Sequence, residues 1–454
     1  MTTAKRLLLA LLVASPATTM AQGSPRPDAD PRIEKLVAAV SEQRMRDLVT
    51  KLVSFDTRST LSDTVSTTRG IGAARRWIHG ELKRSSPRLQ VAFDSHSIAQ
   101  QGRITRDVEL RNVMAVLPGR SPRRVYITGH YDTVNLRAAA QPGRTPAPGA
   151  DAQANRDIDY DVDAPGANDD GSGTVLTMEL ARVFAESGIE FDATLVFIAW
   201  AGEEQGLIGS MAHAQALAAA KGIVEANFNN DIVGSSLGGN GIIDGESVKI
   251  YSLGPEDSMS RSLARYIVRV AATYVPSHRI RLMAREDRFG RGSDHSSFTA
   301  NGFPAVVFRE ANENYRRQHS ADDTMEGMDF TYLTQNARVN AAGAAAVALA
   351  PSAPNVNGER GQALIARGAT GYDASLRWAA SPGAVGYRVY WRDAWANDWD
   401  RSQVVGNVTR FVMPNVSIDD YVFGVAAIGA DGNESLVSAY VSPVRRMMEV
   451  KLFR

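Results

Sequence analysis

Two pairs of adjacent acidic residues stand among glycines in this sequence. Asp169 and Asp170 lie in GANDDGSGT, and Glu203 and Glu204 lie in WAGEEQG. Neighbouring carboxylates repel each other, and small residues in a turn offer little apolar surface to bury them. Carboxylates gathered in this way are typical of sites for divalent cations. The two pairs therefore predict metal chemistry.

The chain has seven histidines and no cysteine, so any metal must be held by His, Asp and Glu, a ligand set that suits zinc or manganese in hydrolases. Four histidines lie in helical patterns or in predicted loops without an acidic companion, and we interpret them as structural. They are His79, His96, His213 and His278. The remaining candidates are His130, His295 and His319.

His130 follows a predicted strand, and Asp132 stands two residues further on. This spacing lets a carboxylate accept the second imidazole N–H and fix the orientation of the ring. We therefore expect Asp132 to serve the site by orienting His130.

Several strand-like runs are continuously apolar, and helical patterns lie between them. Such strands are typical of a mostly parallel sheet that helices cover on both faces, so we predict an α/β fold. Four runs lead towards candidate residues: 124–128 towards His130, 194–200 towards Glu203 and Glu204, 226–230 towards Asp231, and 305–308 towards His319. Because sites of such sheets lie beyond the carboxyl ends of the strands, we expect these side chains to meet at one rim.

Helical periodicity covers 34–54 and 67–84, and an alanine-rich helix is predicted over 330–349. The composition changes near Ala350. Residues 351–357 are typical of a linker, and the short alternating runs beyond them predict a small all-β sandwich over 351–454.

The first 21 residues have the pattern of a secretory signal peptide, with Lys5 and Arg6 before the apolar run 7–14. That run is shorter than the ~20 residues of a spanning helix, so we expect an exported protein, periplasmic or extracellular, without a membrane span. The formal net charge is zero. Nucleic acid is therefore not the expected partner.

Six motifs occur in order within roughly residues 105–350: GHYDTV, PGANDDGSG, WAGEEQGLIGS, NNDIVG, GSDHSSF and QHSADDT. With them the sequence resembles the secreted bacterial di-zinc aminopeptidases, a family of zinc exopeptidases related to leucine aminopeptidase and glutamate carboxypeptidase. The resemblance implies a three-layer zinc-exopeptidase fold over 22–350. The C-terminal region resembles a fibronectin type III domain through Trp378, Tyr387, Tyr390 and Tyr421.

The resemblance also implies a cofactor of two Zn²⁺ ions per chain and a set of ligands. Asp169 would bridge the two ions. The other ligands would be His130 and Asp231 at one zinc, and Glu204 and His319 at the other.

Glu203 would remain unligated and act as the general base, while hydroxide bound to the two zinc ions attacks the N-terminal peptide bond of a peptide. Members of the family often have a tyrosine before the last zinc histidine, but Gln318 stands there in this chain. Tyr315 is the candidate that would stabilise the oxyanion instead. Asp294 and His295 are expected near the site, in a substrate-facing or a packing role.

Three alternatives stay open. The same metal core serves carboxypeptidases and dipeptidases, which need a cation for a free carboxylate, and the available cations are Arg285, Arg288, Arg291 and Arg309. A glutaminyl cyclase is less favoured, because those relatives use one zinc. The sandwich domain could also be the working part, binding a surface or a polymer beside an inert peptidase domain.

Overall fold

The computed structural model describes residues 29–137 and 157–441. The predicted signal peptide, residues 1–21, lies outside this range. In the described ranges none of the helices combines the length and the apolar character needed to cross a lipid bilayer. The helices are α1 (Pro31–Ala38), α2 (Glu42–Val53), α3 (Gly70–Ser85), α4 (Gly171–Glu186), α5 (Ile208–Ala219), α6 (Met259–Tyr274), α7 (His295–Ala300) and α8 (Phe330–Leu349).

The strands of the N-terminal part form one sheet. They are β1 (Gln90–Ile98), β2 (Val108–Leu117), β3 (Ser121–His130), β4 (Ala193–Trp200), β5 (Val224–Asn230), β6 (Ser247–Ser252), β7 (Arg279–Met283) and β8 (Ala305–Glu310). Their order is β1-β2-β4-β3-β5-β8-β6-β7. The central strands β4, β3, β5 and β8 are mutually parallel, and β1, β2 and the β6–β8 pairing add antiparallel contacts. The predicted mixed, mostly parallel sheet is confirmed.

Helices cover both faces of this sheet, which confirms the three layers. In β4, Phe197 faces the large core beneath α4 and α8, whereas Trp200, three residues further along the strand, faces a second core with α5 and α7. Both side chains are fully buried. A strand that is buried on both faces carries a continuous apolar run, and ATLVFIAW is such a run.

The predicted helix over 34–54 is wrong in one respect, because the structure has two helices there. Ser41 separates α1 from α2, and its hydroxyl caps α2 by accepting a hydrogen bond from the Arg44 N–H at 3.2 Å. The Ser41 N–H donates to Glu179 at 2.8 Å, which fixes the break against α4. The strands β6 and β7 and helix α6 were not predicted.

The C-terminal region contains two antiparallel sheets. Its strands are β9 (Ile365–Ala366), β10 (Ala374–Arg377), β11 (Ala384–Asp393), β12 (Arg401–Gly406), β13 (Arg410–Met413), β14 (Tyr421–Gly429) and β15 (Ser438–Ala439). The sheet orders are β13-β10-β9 and β12-β11-β14-β15. Trp378 and Tyr387 pack together in its core with ring centroids 5.4 Å apart. The fibronectin type III assignment and the domain boundaries remain predictions.

The C-terminal region packs closely on α6. The Ser262 hydroxyl donates to the Val437 carbonyl at 2.6 Å, and the Tyr266 hydroxyl donates to the Glu434 carbonyl at 2.8 Å. Leu436 belongs to the main hydrophobic core of the N-terminal part. The two parts therefore share buried surface.

Candidate metal centre

The parallel strands deliver most of the predicted ligands to one rim. His130 is the last residue of β3, Asp231 follows β5 directly, and Glu204 lies in the turn after β4. Asp169 lies just before α4, and His319 lies in the loop after β8. The register places His130 beside Trp200, the last residue of β4, so the strand ends are level.

Two groups of side chains at this rim can each hold a metal ion. The first comprises His130, Asp169 and Asp231, and the second comprises Asp169, Glu204 and His319; within each group the ligand atoms lie within 4.8 Å of one another. His130 Nε2 is 3.4 Å from Asp169 Oδ1, and His319 Nε2 is 3.1 Å from Asp169 Oδ2. The two groups share Asp169, the residue predicted as the bridge.

The carboxylates of these groups fit a metal centre. Asp169 Oδ2, Glu204 Oε1 and Asp231 Oδ1 are buried, and among the described residues no group outside the two ligand groups donates a hydrogen bond to them. Buried carboxylate oxygens without partners are costly unless a cation is bound between them. One imidazole with two carboxylates in each group is a set of donors that zinc accepts.

The backbone beside two ligands is strained. His319 has φ 54° and Ile232, which follows Asp231, has φ 60°. A β-branched residue in the left-handed region is an outlier that the surrounding structure must hold in place. The Ile232 N–H donates to Asp170 Oδ1 at 3.2 Å, and this contact provides part of that restraint.

Asp170 supports the ligands from behind and does not belong to either group. Its side chain caps α4 by accepting the Gly173 N–H at 2.8 Å, and it also accepts the His130 N–H at 3.0 Å. Burial raises the pKa of Asp170 well above its usual value. Asp170 is therefore the N-cap residue of α4.

Asp323 is a site residue that sequence reasoning missed. It accepts the N–H groups of Asn168 and Asp169, the latter at 2.8 Å, and so holds the loop that carries the bridging aspartate. Burial raises its pKa to about 7. Its only signal in the sequence is its place in QHSADDT, four residues after His319.

Asp132 lies next to His130, but its contacts differ from the expected ones. His130 Nδ1 lies 3.0 Å from the backbone carbonyl of Asp132 and 3.7 Å from its carboxylate. The carboxylate instead accepts the N–H groups of Glu203 and Glu204, both at 3.2 Å. Asp132 therefore orients the imidazole through its main chain and fixes the acidic turn through its side chain.

Glu203 faces a cavity of about 810 Å³ together with the ligands. Burial raises its pKa well above the usual value, and the negative charges of Asp231, Asp294 and Asp132 add to the rise. It is not a member of either ligand group.

Arg309 is a buried cation beside the first ligand group. Its guanidinium forms an ion pair with Asp231 Oδ2, and both side chains are 3 % exposed. Burial opposes ionisation of Asp231, but Arg309 and His130 outweigh it and lower the pKa of that carboxyl to about 2. Arg288, Arg291 and Arg309 line the cavity, whereas Arg285 stacks on Phe289 and is not among the lining residues.

Tyr315 is not brought to the cavity. Its side chain is 55 % exposed, Arg291 packs over its ring at 5.0 Å, and it is not among the lining residues. Gln318 lines the cavity instead. In this arrangement nothing supports Tyr315 as the oxyanion-stabilising group.

Asp294 and His295 are both buried. His295 Nε2 lies 3.0 Å from the Glu286 carbonyl oxygen, and neither residue is among those that line the cavity. The structure thus favours the packing role for this pair.

The prediction that His96 lies in a loop without an acidic companion is wrong. His96 lies in β1, and its Nε2 is 3.0 Å from Asp94 Oδ2.

Residues 112–344 match the sequence model of Peptidase family M28. A probable zinc metalloprotease from Pyricularia oryzae is 36 % identical over 450 residues, which cover 90 % of this chain and 84 % of the relative. A second probable zinc metalloprotease, from Leptosphaeria maculans, is 35 % identical and covers 92 % of this chain and 98 % of the relative. The chain belongs to Peptidase family M28.

Among solved structures, the Legionella pneumophila LapA aminopeptidase aligns with a TM-score of 0.53 at 20 % identity, over 73 % of this chain and 78 % of LapA. LapB from the same organism aligns with a TM-score of 0.52 at 20 % identity, over 70 % and 75 %. These similarities confirm the fold. The predicted peptidase family is confirmed, but the restriction to bacterial enzymes is too narrow, since the two probable zinc metalloproteases that match in sequence are fungal.

Proposed function

We propose that the chain is an exported exopeptidase that uses two zinc ions to remove the N-terminal residue from peptides. The observation that carries the proposal is that Asp169 belongs to both ligand groups. A shared carboxylate holds two metal ions close together, which is the arrangement of two-metal hydrolases. The zinc metalloprotease relatives and the fold of an aminopeptidase are consistent with this proposal.

His130 and Asp231 would hold one ion, Glu204 and His319 the other, and Asp169 both. Zinc in such sites supplies Lewis acidity for a carbonyl group and makes water more acidic. Because two complete ligand groups are present, a one-zinc cyclase is the weaker interpretation.

Glu203 performs the proton transfer in the proposed reaction. It accepts a proton from the attacking water as the water oxygen bonds to the scissile carbonyl carbon. It donates that proton to the departing amine nitrogen as the C–N bond breaks. The raised pKa of Glu203 suits a group that must hold a proton between these two steps.

The test is cleavage of a mixed pool of peptides, each present with a free and with an acetylated N-terminus, followed by mass spectrometry. We expect single-residue trimming of the free-amine peptides only, and loss of that activity when zinc is removed by a chelator. Trimming from the C-terminus regardless of acetylation would overturn the aminopeptidase assignment.

A carboxypeptidase or dipeptidase is the second candidate, because arginines line the cavity. Two of them already have carboxylate partners: Arg288 pairs with Glu313, and Arg309 pairs with Asp231. Arg291 donates to Gln318 Oε1 at 3.1 Å. Arginines committed to internal partners are less suited to capture a substrate carboxylate, so we rank this candidate second.

Export is proposed on residues 1–21 alone, to the periplasm or the extracellular medium. Binding of a surface or polymer by the C-terminal region is also only a proposal. The docking of that region on α6 favours a structural role.

A further inference from the structure

Arg58 is a buried cation that the proposed reaction does not use. It lies in the segment after α2, its residue exposure is 0 %, and burial lowers the pKa of its guanidinium to about 10. The carboxylates of Asp323, Asp132 and Asp169 oppose that shift, so the acidic centre favours the charged form. A buried charge needs compensating contacts, and those of Arg58 are specific.

The guanidinium of Arg58 joins two loops that lead to metal ligands. Its Nε donates to the Tyr131 carbonyl at 2.7 Å, directly after His130. Its Nη1 donates to the Pro165 carbonyl at 2.5 Å, and Nη2 donates to the Gly166 carbonyl at 2.8 Å, three residues before Asp169. One planar group thereby sets the distance between the two loops.

The main chain of Arg58 reinforces the same junction. Its N–H donates to Thr133 Oγ1 at 2.9 Å, and the Thr133 hydroxyl donates to the Ala164 carbonyl at 2.8 Å. Two residues on, Thr60 Oγ1 donates to Asp132 Oδ2 at 3.1 Å. The segment 58–60 therefore contacts the first loop through two side chains and one backbone N–H, and the second loop through the Arg58 guanidinium.

The junction has no room to relax. A Cβ added to Gly166 would lie 2.1 Å from Thr133 Cγ2 and 3.0 Å from Arg58 Nη2, and Gly166 has φ 53°. The Gly166 carbonyl also accepts the N–H of Gly171, the first residue of α4, at 3.0 Å. Arg58 thus donates to the same carbonyl that accepts the first N–H of α4, the helix that follows Asp169 in the chain.

We propose that Arg58 is a positioning residue that holds His130 and Asp169 at their metal-binding separation. The inference rests on the proposed two-zinc function, since it assigns Arg58 to the assembly of that centre. A rigid set of ligands binds its ion more tightly because less ordering is needed on binding. Arg58 touches no reacting atom, and its effect passes through the two loops.

The experiment compares Arg58 with a matched control in the same chain. Arg261 on α6 is 2 % exposed, and it also donates to backbone carbonyls, those of Met283 at 2.9 Å and Ser252 at 3.1 Å. It contacts neither loop. The variants are Arg58→Met, Arg58→Lys and Arg261→Met in the full chain.

Zinc affinity is measured by competition with a chromophoric chelator on folded protein, with unfolding recorded separately. We expect Arg58→Met to weaken zinc binding about 10–100-fold, as for other groups that orient metal ligands. Arg58→Lys should recover part of the loss, because it keeps the charge but not the planar fork. Arg261→Met should lower stability and leave zinc affinity unchanged.

Native zinc affinity in folded Arg58→Met would overturn the inference, and so would an equal loss in Arg261→Met. If Arg58→Met does not fold, Arg58→Lys and Thr133→Val decide, because both should weaken zinc binding if the junction sets the ligand distance. Absence of zinc binding by the native chain would instead refute the proposed function.

Discussion

Single side chains at the rim of the sheet divide into those that can hold metal and one that can move protons. The distinction between Glu203 and Glu204 is the sharpest, because the two are adjacent and only Glu204 belongs to a ligand group. Both backbone N–H groups donate to Asp132, which fixes the turn while the two side chains differ in role.

Replacing Glu203 by Gln tests that division. We expect kcat to fall by roughly 10²–10⁴ because the proton acceptor is lost, whereas the zinc content of the purified protein stays near that of the native chain. Glu204→Gln is the control, and it should lose zinc. Zinc loss in Glu203→Gln would show that base and ligand have been assigned the wrong way round.

Residue types and their order sufficed to predict which side chains gather at the centre, because parallel strands deliver their carboxyl ends to one rim. The contacts that hold the ligands were not predictable. Asp323 reaches the Asp169 N–H from 154 residues away, and Arg58 reaches the Tyr131 carbonyl from 73 residues away. Contacts to backbone over such separations leave no local pattern. The exposed position of Tyr315 likewise depends on loop geometry.

At the scale of elements, the N-terminus of α4 must approach β3 closely to present Asp169. A Cβ on Gly129 of β3 would lie 2.5 Å from the carbonyl carbon of Gly173 in α4. No side chain can give way there, since the nearest atoms that this Cβ would meet, in Gly173 and Thr174, all belong to the backbone.

We therefore expect Gly129→Ala to lower the free energy of unfolding by about 1–3 kcal/mol and to reduce zinc affinity, because α4 must shift. Gly80→Ala in α3 is the control, since its Cβ would meet only the flexible end of Arg84 at 3.3 Å. That variant should be neutral or slightly stabilising. Equal stability of the two variants, measured by urea unfolding, would contradict the argument.

Strand β1 and helix α5 are joined by a second arrangement of titratable groups, away from the ligands. Asp94 Oδ2 lies 3.0 Å from His96 Nε2 and 3.0 Å from His213 Nδ1. The hydrogen bond to Asp94 raises the pKa of His96. Although burial opposes it, the hydrogen bonds from His213 and His96 hold the pKa of Asp94 well below its usual value.

The raised pKa of His96 and the lowered pKa of Asp94 make the stability of the protein depend on pH. The His96 contribution is complete below its unfolded pKa of about 6.5 and is lost as pH rises through the higher folded value. The Asp94 contribution is present above about pH 3.9 and is lost only in stronger acid. We expect His96→Gln to destabilise the protein more at pH 5.5 than at pH 9 in urea unfolding. A pH-independent difference would show that the pair contributes nothing.

For the whole molecule, the C-terminal region is built into the structure and is not a separate appendage. Arg392, which is 2 % exposed, pairs with Asp257 at 2.6 Å, just before α6. Together with the contacts of Ser262, Tyr266 and Leu436, this interface buries one face of α6.

A chain ended after Ala350 should therefore be less stable than the full protein, because its apolar surface on α6 becomes exposed. Thermal unfolding of the two forms measures the effect, and zinc content shows whether the centre survives. An unchanged melting temperature would mean that the region is an independent module. That outcome would revive the binding function for the sandwich.

The docking of the C-terminal region on α6 also determines whether the two parts separate when the chain is cleaved between them. The segment 351–357 runs between the two parts, and the buried contacts join them as well, so we expect a protease cut in this segment not to release either piece by itself. The nicked protein would travel as one particle through gel filtration and would separate only in denaturant.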